Sequence, residues 1–344
     1  MSVEESTRSV PELEQLLARP TPEVVETMRR MKGDLMLLGV GGKMGPSLAR
    51  MARRASELAG VSRRIIGVAR FSSPQLAGEL QAGGIETIAC DLLDEKALER
   101  LPDVPNLLFL AGMKFGATGQ EALTWAMNAH LPALVCRRFP QSRIVAFSTG
   151  NVYGLVPVTG GGSRETDPPA PVGEYAMSCL GRERIFEHFS RTRGTPVALI
   201  RLNYACDLRY GVLVDLAQKV AGGRPVDLAI GAFNTIWQGD ANAVTLRCFD
   251  HAATPPFVIN LTGPETLFVR EACERLGSLL GKKPVFAGAE QTTALLSNSK
   301  RCIELFGPPS MKACELIPRV AQWIGNSGPT LNKPTHFESR DGKF

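Results

Sequence analysis

The sequence predicts a doubly wound α/β fold: a parallel, Rossmann-type sheet with helices on both faces and a smaller C-terminal α/β lobe. Three observations carry that expectation. Strand-length apolar runs alternate with stretches of helical spacing through the N-terminal half. A turn containing Gly39, Gly41, Gly42 and Gly45 stands between the first apolar run and the first long helical stretch. Neither an internal repeat nor a low-complexity linker interrupts the pattern.

Residues 1–33 read as a helical extension. Thr21, Pro22 and Glu23 form a helix start, with a capping hydroxyl, a proline in the first turn and an acid near the positive helix end. A dinucleotide-binding domain is expected over 34–203. Its strands are expected over 35–40, 64–69, 85–90, 106–111, 143–147 and 196–200. Helices are expected over 47–58, 121–137 and 174–189. Past residue 203, Gly and Pro breaks loosen the pattern, and a substrate-binding lobe is expected over 204–327, packed on the sheet's C-terminal edge. The tail over 328–344 is rich in Gly, Pro, Asn and Lys and reads as loosely ordered.

Composition excludes several classes. The 344 residues are 44% hydrophobic, enough for one large core or for a core with a smaller lobe. The net charge of +5 comes without a Lys/Arg run or an aromatic-basic array, so no nucleic-acid partner is expected. The acidic start after Met1 has no apolar stretch behind it, which argues against a signal or transit peptide. Apolar runs such as Leu107 to Ala111 are far too short to span a membrane. The eight cysteines are scattered and form no C-x-x-C, as expected of reduced, buried thiols in a cytoplasmic protein. The four histidines show no ligand spacing, so no metal site is expected.

The glycine turn carries the chemistry. In a strand-turn-helix context its first glycine, Gly39, permits the tight turn. Gly42 lets the backbone approach a pyrophosphate, and Gly45 lets helix and strand pack closely. Lys43 and Met44 lie in the same turn, and the helix start that follows favours phosphate. The end of the second strand, which selects the cofactor, has no acid. Arg70 stands there, followed by Ser72 and Ser73. A guanidinium can grip a 2′-phosphate in a fork of charge-assisted hydrogen bonds, so NADP is the expected cofactor. The alternative is NAD, with Arg70 stacked on adenine or solvated.

Further motifs follow in order: Ser148, Thr149, Gly150 and Asn151 after the fifth strand; Tyr175 with Ser178; Trp237 to Asp240; and Val258 to Glu265. Together with the glycine turn these resemble the extended short-chain dehydrogenase/reductase family, its NAD-dependent epimerase/dehydratase group, over residues 34–325. The resemblance implies that Asp91 and Leu92 contact adenine and that Ala111, Gly112 and Lys114 form the nicotinamide-side loop. It implies that Tyr175 exchanges the substrate proton and also meets the cofactor, and that Thr149 hydrogen-bonds the same substrate oxygen. Asn128 occupies the family's helix asparagine. The two long helices match those that often form a dimer contact, which implies a homodimer.

One departure stands out. The family's lysine four residues after the tyrosine is Cys179 here. An unperturbed phenol, with a pKa of about 10, is a poor base at neutral pH without such help. Three readings are open: a silent dinucleotide-binding regulator; relocation of the charge to Lys114, aided by the cationic oxidised nicotinamide; or acid–base work by Cys179 itself. Relocation is the leading one. It makes the chain an NAD(P)-dependent oxidoreductase or epimerase acting on a hydroxyl or carbonyl of a small, polar, sugar-like substrate.

Around that centre, Asn151, Tyr204 and Arg209 are candidate substrate contacts, with Tyr153, Tyr210, Asn234, Trp237 and Gln238 as weaker ones. His130 and His188 read as structural. The family's nucleotide-sugar members carry a Tyr-Gly-Pro segment after the sixth strand. The Gly-Pro is missing here, which makes a nucleoside diphosphate handle doubtful.

Overall fold

The structure is a computed structural model that describes residues 7–343 except 115 and 117. The acidic first six residues lie outside the described residues. Seven strands form one parallel sheet: β1 (Leu35–Leu38), β2 (Ile65–Ala69), β3 (Glu86–Ala89), β4 (Asn106–Phe109), β5 (Arg143–Thr149), β6 (Val197–Leu202) and β7 (Phe257–Leu261). Their order across the sheet is β7-β6-β5-β4-β1-β2-β3. The chain runs one way from β1 through β3 and then returns to the other side of β1 with β4. The crevice above β1 and β4 is therefore a topological switch point, where open α/β sheets bind ligands.

All four residues of β1 and of β4 are buried, as strands covered on both faces require. Alternation sorts their side chains. Leu35 and Leu37 join the core under helices Pro22–Arg30, Gly45–Leu58 and Gln238–Arg247. Met36 and Leu38 join the opposite core, under Leu131–Arg138 and Gly173–Arg193. A third core belongs to the lobe, built on helices Val212–Ala221, Val269–Leu280 and Ala313–Gly325.

Several features differ from the sequence expectation. The sheet has a seventh strand, β7, supplied by the C-terminal part of the chain and paired in parallel with β6. Five residues flanked by proline and glycine gave it no periodicity of its own. The N-terminal extension is split: Leu13 and Leu17 of helix Val10–Leu17 enter the lobe core, whereas Pro22–Arg30 covers the sheet. The described residues of the tail, 328–343, form no helix or strand, yet Thr335 and Phe337 among them are buried. Isolated anchors leave no repeating pattern in sequence.

The helix expected over 121–137 is interrupted. Glu121–Trp125 and Leu131–Arg138 are α-helical, and the five residues Ala126–His130 between them form a π turn around Asn128. Such turns mark functional positions more often than chance. Among the described residues, no helix is long and apolar enough to cross a membrane, and no group of His, Cys, Asp or Glu could hold a metal ion. All eight cysteines are unpaired, and only Cys314 is exposed.

Candidate active site

The glycine turn after β1 divides its work between the protein and a ligand. Gly39 has φ +90°, and a Cβ there would lie 2.7 Å from the Ala111 nitrogen. A Cβ on Gly45 would overlap the Val40 carbonyl. The fold itself therefore demands those two glycines. Gly42 is different: a Cβ would meet only the Gly39 oxygen, at an ordinary 3.5 Å. Gly42 lines the cleft, and the fold itself leaves room for a side chain there. That open cradle at a helix N-terminus fits a pyrophosphate.

Lys43 reaches across the mouth. Its Nζ donates to the Ala205 carbonyl at 2.7 Å and lies 3.9 Å over the Tyr210 ring. Burial pulls this amine down to about 8, opposed mainly by Asp207. At the end of β2, Arg70 is exposed, with no hydrogen bond or ion pair to the described residues. Asp91, past β3, is exposed and accepts from the Leu93 nitrogen, and Leu92 is buried in the core. Neither lines the cavity described next.

That cavity, of about 240 Å³, brings Gly42, Met44, Lys114, Thr149, Asn151 and Tyr175 together at the C-terminal ends of β1, β4 and β5. Thr149 ends β5. Its Oγ1 accepts from both nitrogens of Asn151, at 3.0 and 3.1 Å, and it is hydrogen-bonded to Tyr175. Tyr175 stands in the first turn of Gly173–Arg193. Lys114 enters from the loop after β4. Its Nζ lies 5.9 Å from the Tyr175 ring centre and donates to the Thr335 carbonyl at 3.2 Å. Burial holds the Lys114 amine down at about 8, with Cys179 and Asp215 opposing.

Burial also drives the Tyr175 phenol well above its ordinary range, helped by Cys179 and opposed by Arg182 and by the bond to Thr149. The Cys179 thiol, hydrogen-bonded to Tyr175, is likewise raised by burial. Without cofactor, both groups are neutral at physiological pH.

Sequence reasoning misses Arg182. Seven residues after Tyr175, it is two turns along the same helix face. It is 5% exposed and donates to the Phe147 carbonyl at 2.7 Å and to Asn128 Oδ1 at 2.6 Å. A charge on the buried face of a helix was the signal available. Asn128, in turn, bonds both the nitrogen and the carbonyl of Met113 at 2.9 Å and donates to Ser178 Oγ at 2.9 Å. This asparagine ties the Lys114 loop to the Tyr175 helix. Ala111 and Gly112 of that loop pack on Gly39 and on Arg182, respectively.

Other sequence candidates fall elsewhere. Tyr204 lines the cavity with φ +50°, its phenol raised by burial. Arg209, expected at the substrate, is outside the cavity; it pairs with Glu14 at 2.7 Å and with Asp207 at 3.3 Å. The N-terminal helix, whose packing no local pattern foretells, supplies Glu14. Tyr153 belongs to a buried network, donating to Asn260 and accepting from Arg201, which also pairs with Glu183 at 2.7 Å. Asn234 accepts from the cavity-lining Asn203, Trp237 sits in the lobe core, and Gln238 donates to Ser47. His188 packs on the Phe189 ring.

A doubly wound sheet, a glycine turn at its switch point and a Thr–Tyr pair facing that turn form the arrangement that the resemblance to the short-chain dehydrogenase/reductase family implies. The profile of the NAD dependent epimerase/dehydratase family matches residues 35–206, half of the chain, and the chain belongs to that family. No curated protein matches the sequence. Solved structures do match in fold. UDP-glucose 4-epimerase from Thermotoga maritima, with UDP-glucose, is 17% identical at a TM-score of 0.69, covering 86% of this chain and 99% of that one. UDP-glucose 4-epimerase from Thermus thermophilus, with NAD, is 18% identical at 0.67, covering 84% and 98%. UDP-glucuronic acid 4-epimerase from Bacillus cereus, with UDP-glucuronic acid and NAD, is 16% identical at 0.69, covering 85% and 98%.

Proposed function

We propose that this chain is an NAD(P)-dependent oxidoreductase or epimerase that works on a hydroxyl or carbonyl of a polar, sugar-like substrate. The observation that carries the reading is the convergence of Tyr175, Thr149 and Lys114 on one cavity with Gly42. A bound nicotinamide dinucleotide supplies hydride exchange and, when oxidised, a positive charge. Tyr175 supplies the proton. As a neutral phenol it donates to a substrate carbonyl oxygen, and Thr149 hydrogen-bonds that same oxygen. In the other direction the phenol must lose its proton, which a nearby cation favours. Lys114 supplies that cation where Cys179 replaces the family lysine. Asn128 and Arg182 are positioning residues that hold the loop and helix in register.

NADP is the proposed cofactor. Arg70 supports it, exposed and unengaged at the end of β2, where a 2′-phosphate would arrive. The B. cereus and T. thermophilus neighbours hold NAD, which is the alternative. A homodimer is proposed as well: Leu123, Trp125 and Met177 are exposed on the two helices that the family resemblance assigns to a dimer contact. The unpaired cysteines support a cytoplasmic location.

The test is a screen of polyols, sugar acids and ketones with both cofactors, comparing the natural chain with Tyr175→Phe. Turnover that Tyr175→Phe abolishes is expected. Turnover unaffected by that change defeats the proposed mechanism. Tight dinucleotide binding without any turnover favours a silent regulator.

A further inference from the structure

The last residues of the chain cross the active site, and the reading above does not use them. From Trp323, whose indole donates to the Pro329 carbonyl at 3.0 Å, the segment runs over the lobe. The Leu331 nitrogen donates to the Arg209 carbonyl. Thr335 is then held twice by Asp215, through its nitrogen at 2.7 Å and its hydroxyl at 2.6 Å, and its own carbonyl meets Lys114. Phe337 is buried in the lobe core against Phe233. Arg340 donates to the carbonyls of Ala229 and Thr293 at 3.0 and 2.9 Å. Gly342 ends the crossing against the start of the tyrosine helix, so close that a Cβ on it would overlap the Val172 carbonyl. This strap thus touches both lobe and sheet domain, and Thr335 is itself a wall of the catalytic cavity.

We infer that this C-terminal strap, residues 329–342, is a fixed wall of the substrate site, and that the substrate is therefore a small polar molecule without a nucleoside diphosphate handle. The inference rests on the proposed function for the location of the chemistry. Space is the physical reason. The cavity at Tyr175 holds about 240 Å³ and must also receive the nicotinamide end of the cofactor. Beyond Asn151 and Tyr204, the hollow left beneath Ser339, Arg340 and Gly342 is about 30 Å³. Sites for drug-sized ligands occupy roughly 300–1,000 Å³. The hydroxyls of Thr149 and Tyr175, the Asn151 amide and the Lys114 amine face this space beside apolar groups such as Met44, Phe147 and Leu202, a mixed lining that suits a small hydroxylated carbonyl compound. The strap has a second effect: its Thr335 carbonyl orients Lys114, so one segment sets both substrate size and the direction of the amine.

The test uses the full chain. Titration calorimetry with NADPH, then with UDP-glucose and with UDP, is run on the natural protein and on the double variant Arg340→Ala/Gly342→Val. Neither substitution touches Thr149, Tyr175 or Lys114. The valine must lift the strap end off Val172, and circular dichroism checks the fold. The natural chain is expected to bind NADPH but neither UDP ligand, and the variant to gain UDP-glucose affinity by about tenfold or more. Hydrogen exchange on the unaltered protein gives an independent readout, with the amides of Thr335 and Phe337 expected to be protected. UDP-glucose binding by the natural chain in the micromolar range, no gain in the variant, or unprotected strap amides each overturn the inference. Failure of both NADPH and NADH to bind defeats the proposed function instead, and leaves the exchange result to judge the strap.

Discussion

The two sides of the cleft are built on different principles. On the glycine-turn side, the requirements are set by backbone sterics: Gly45 is crowded by Val40, in the same turn, and Gly39 by Ala111, past the end of the neighbouring strand β4. On the tyrosine side, almost nothing is local. Lys114 is held by Thr335, 221 positions away, and Thr335 by Asp215, 120 positions away. Asn128 joins the Lys114 loop to the Tyr175 helix through Met113 and Ser178. The first side tolerates no change in its backbone but keeps a fixed chemistry. On the proposed function, the second does without a lysine at 179 because the fold brings Lys114 to within 5.9 Å of the Tyr175 ring centre.

The largest expected effect breaks the first side. Gly45→Val puts a branched side chain onto the Val40 carbonyl and should cost more than the usual 1–3 kcal/mol of overpacking. Thermal unfolding should show an unstable or unfolded protein. Gly42→Val should behave in the opposite way, with a melting temperature near that of the natural chain but no measurable dinucleotide binding in calorimetry. If Gly42→Val binds dinucleotide with unchanged affinity, the turn is not the phosphate cradle.

The second side is tested at Lys114. Lys114→Met should lower turnover by about 10²-fold. In the reductive direction, where Tyr175 donates, the alkaline limb of the pH–rate profile should move upward as the phenol loses its neighbouring cation. The same change should stabilise the fold. The Lys114 amine is depressed from 10.5 to about 8, so the folded state binds its proton less well than the unfolded chain. That cost to the natural protein is fully present below pH about 8 and is relieved as pH rises toward 10.5. The melting-temperature advantage of Lys114→Met should accordingly be greatest at neutral pH and fade through that window. A destabilised, fully active variant would remove Lys114 from the proposed site.

A smaller effect is expected at Arg70. If its guanidinium grips a 2′-phosphate, Arg70→Ala should weaken NADPH relative to NADH by about tenfold to a hundredfold, the worth of a charge-assisted hydrogen bond. Equal losses in fluorescence titrations would favour NAD. The smallest belongs to Cys179→Ala. The thiol is neutral and buried, so turnover should change by less than about threefold, with a modest loss of stability from the small cavity left behind. A severe loss of turnover with Lys114→Met mild would reverse the ranking and point to thiol chemistry.

What the sequence determined by itself was whatever a few neighbouring residues decide. Strand and helix periods, the glycine turn and the order of Thr149 and Tyr175 were legible because backbone sterics and burial act over one or two turns. Asn128 was visible as a candidate, though not as the clasp between loop and helix. Tertiary structure alone decided the rest. It placed β7 beside β6, gave Arg209 to Glu14 instead of to a ligand, brought Arg182 beneath the tyrosine, and folded an irregular tail onto Lys114. Each of these joins residues far apart in the chain through single contacts. A single contact carries no period, so its partner is chosen only when the whole core has packed and every buried polar group must find a place.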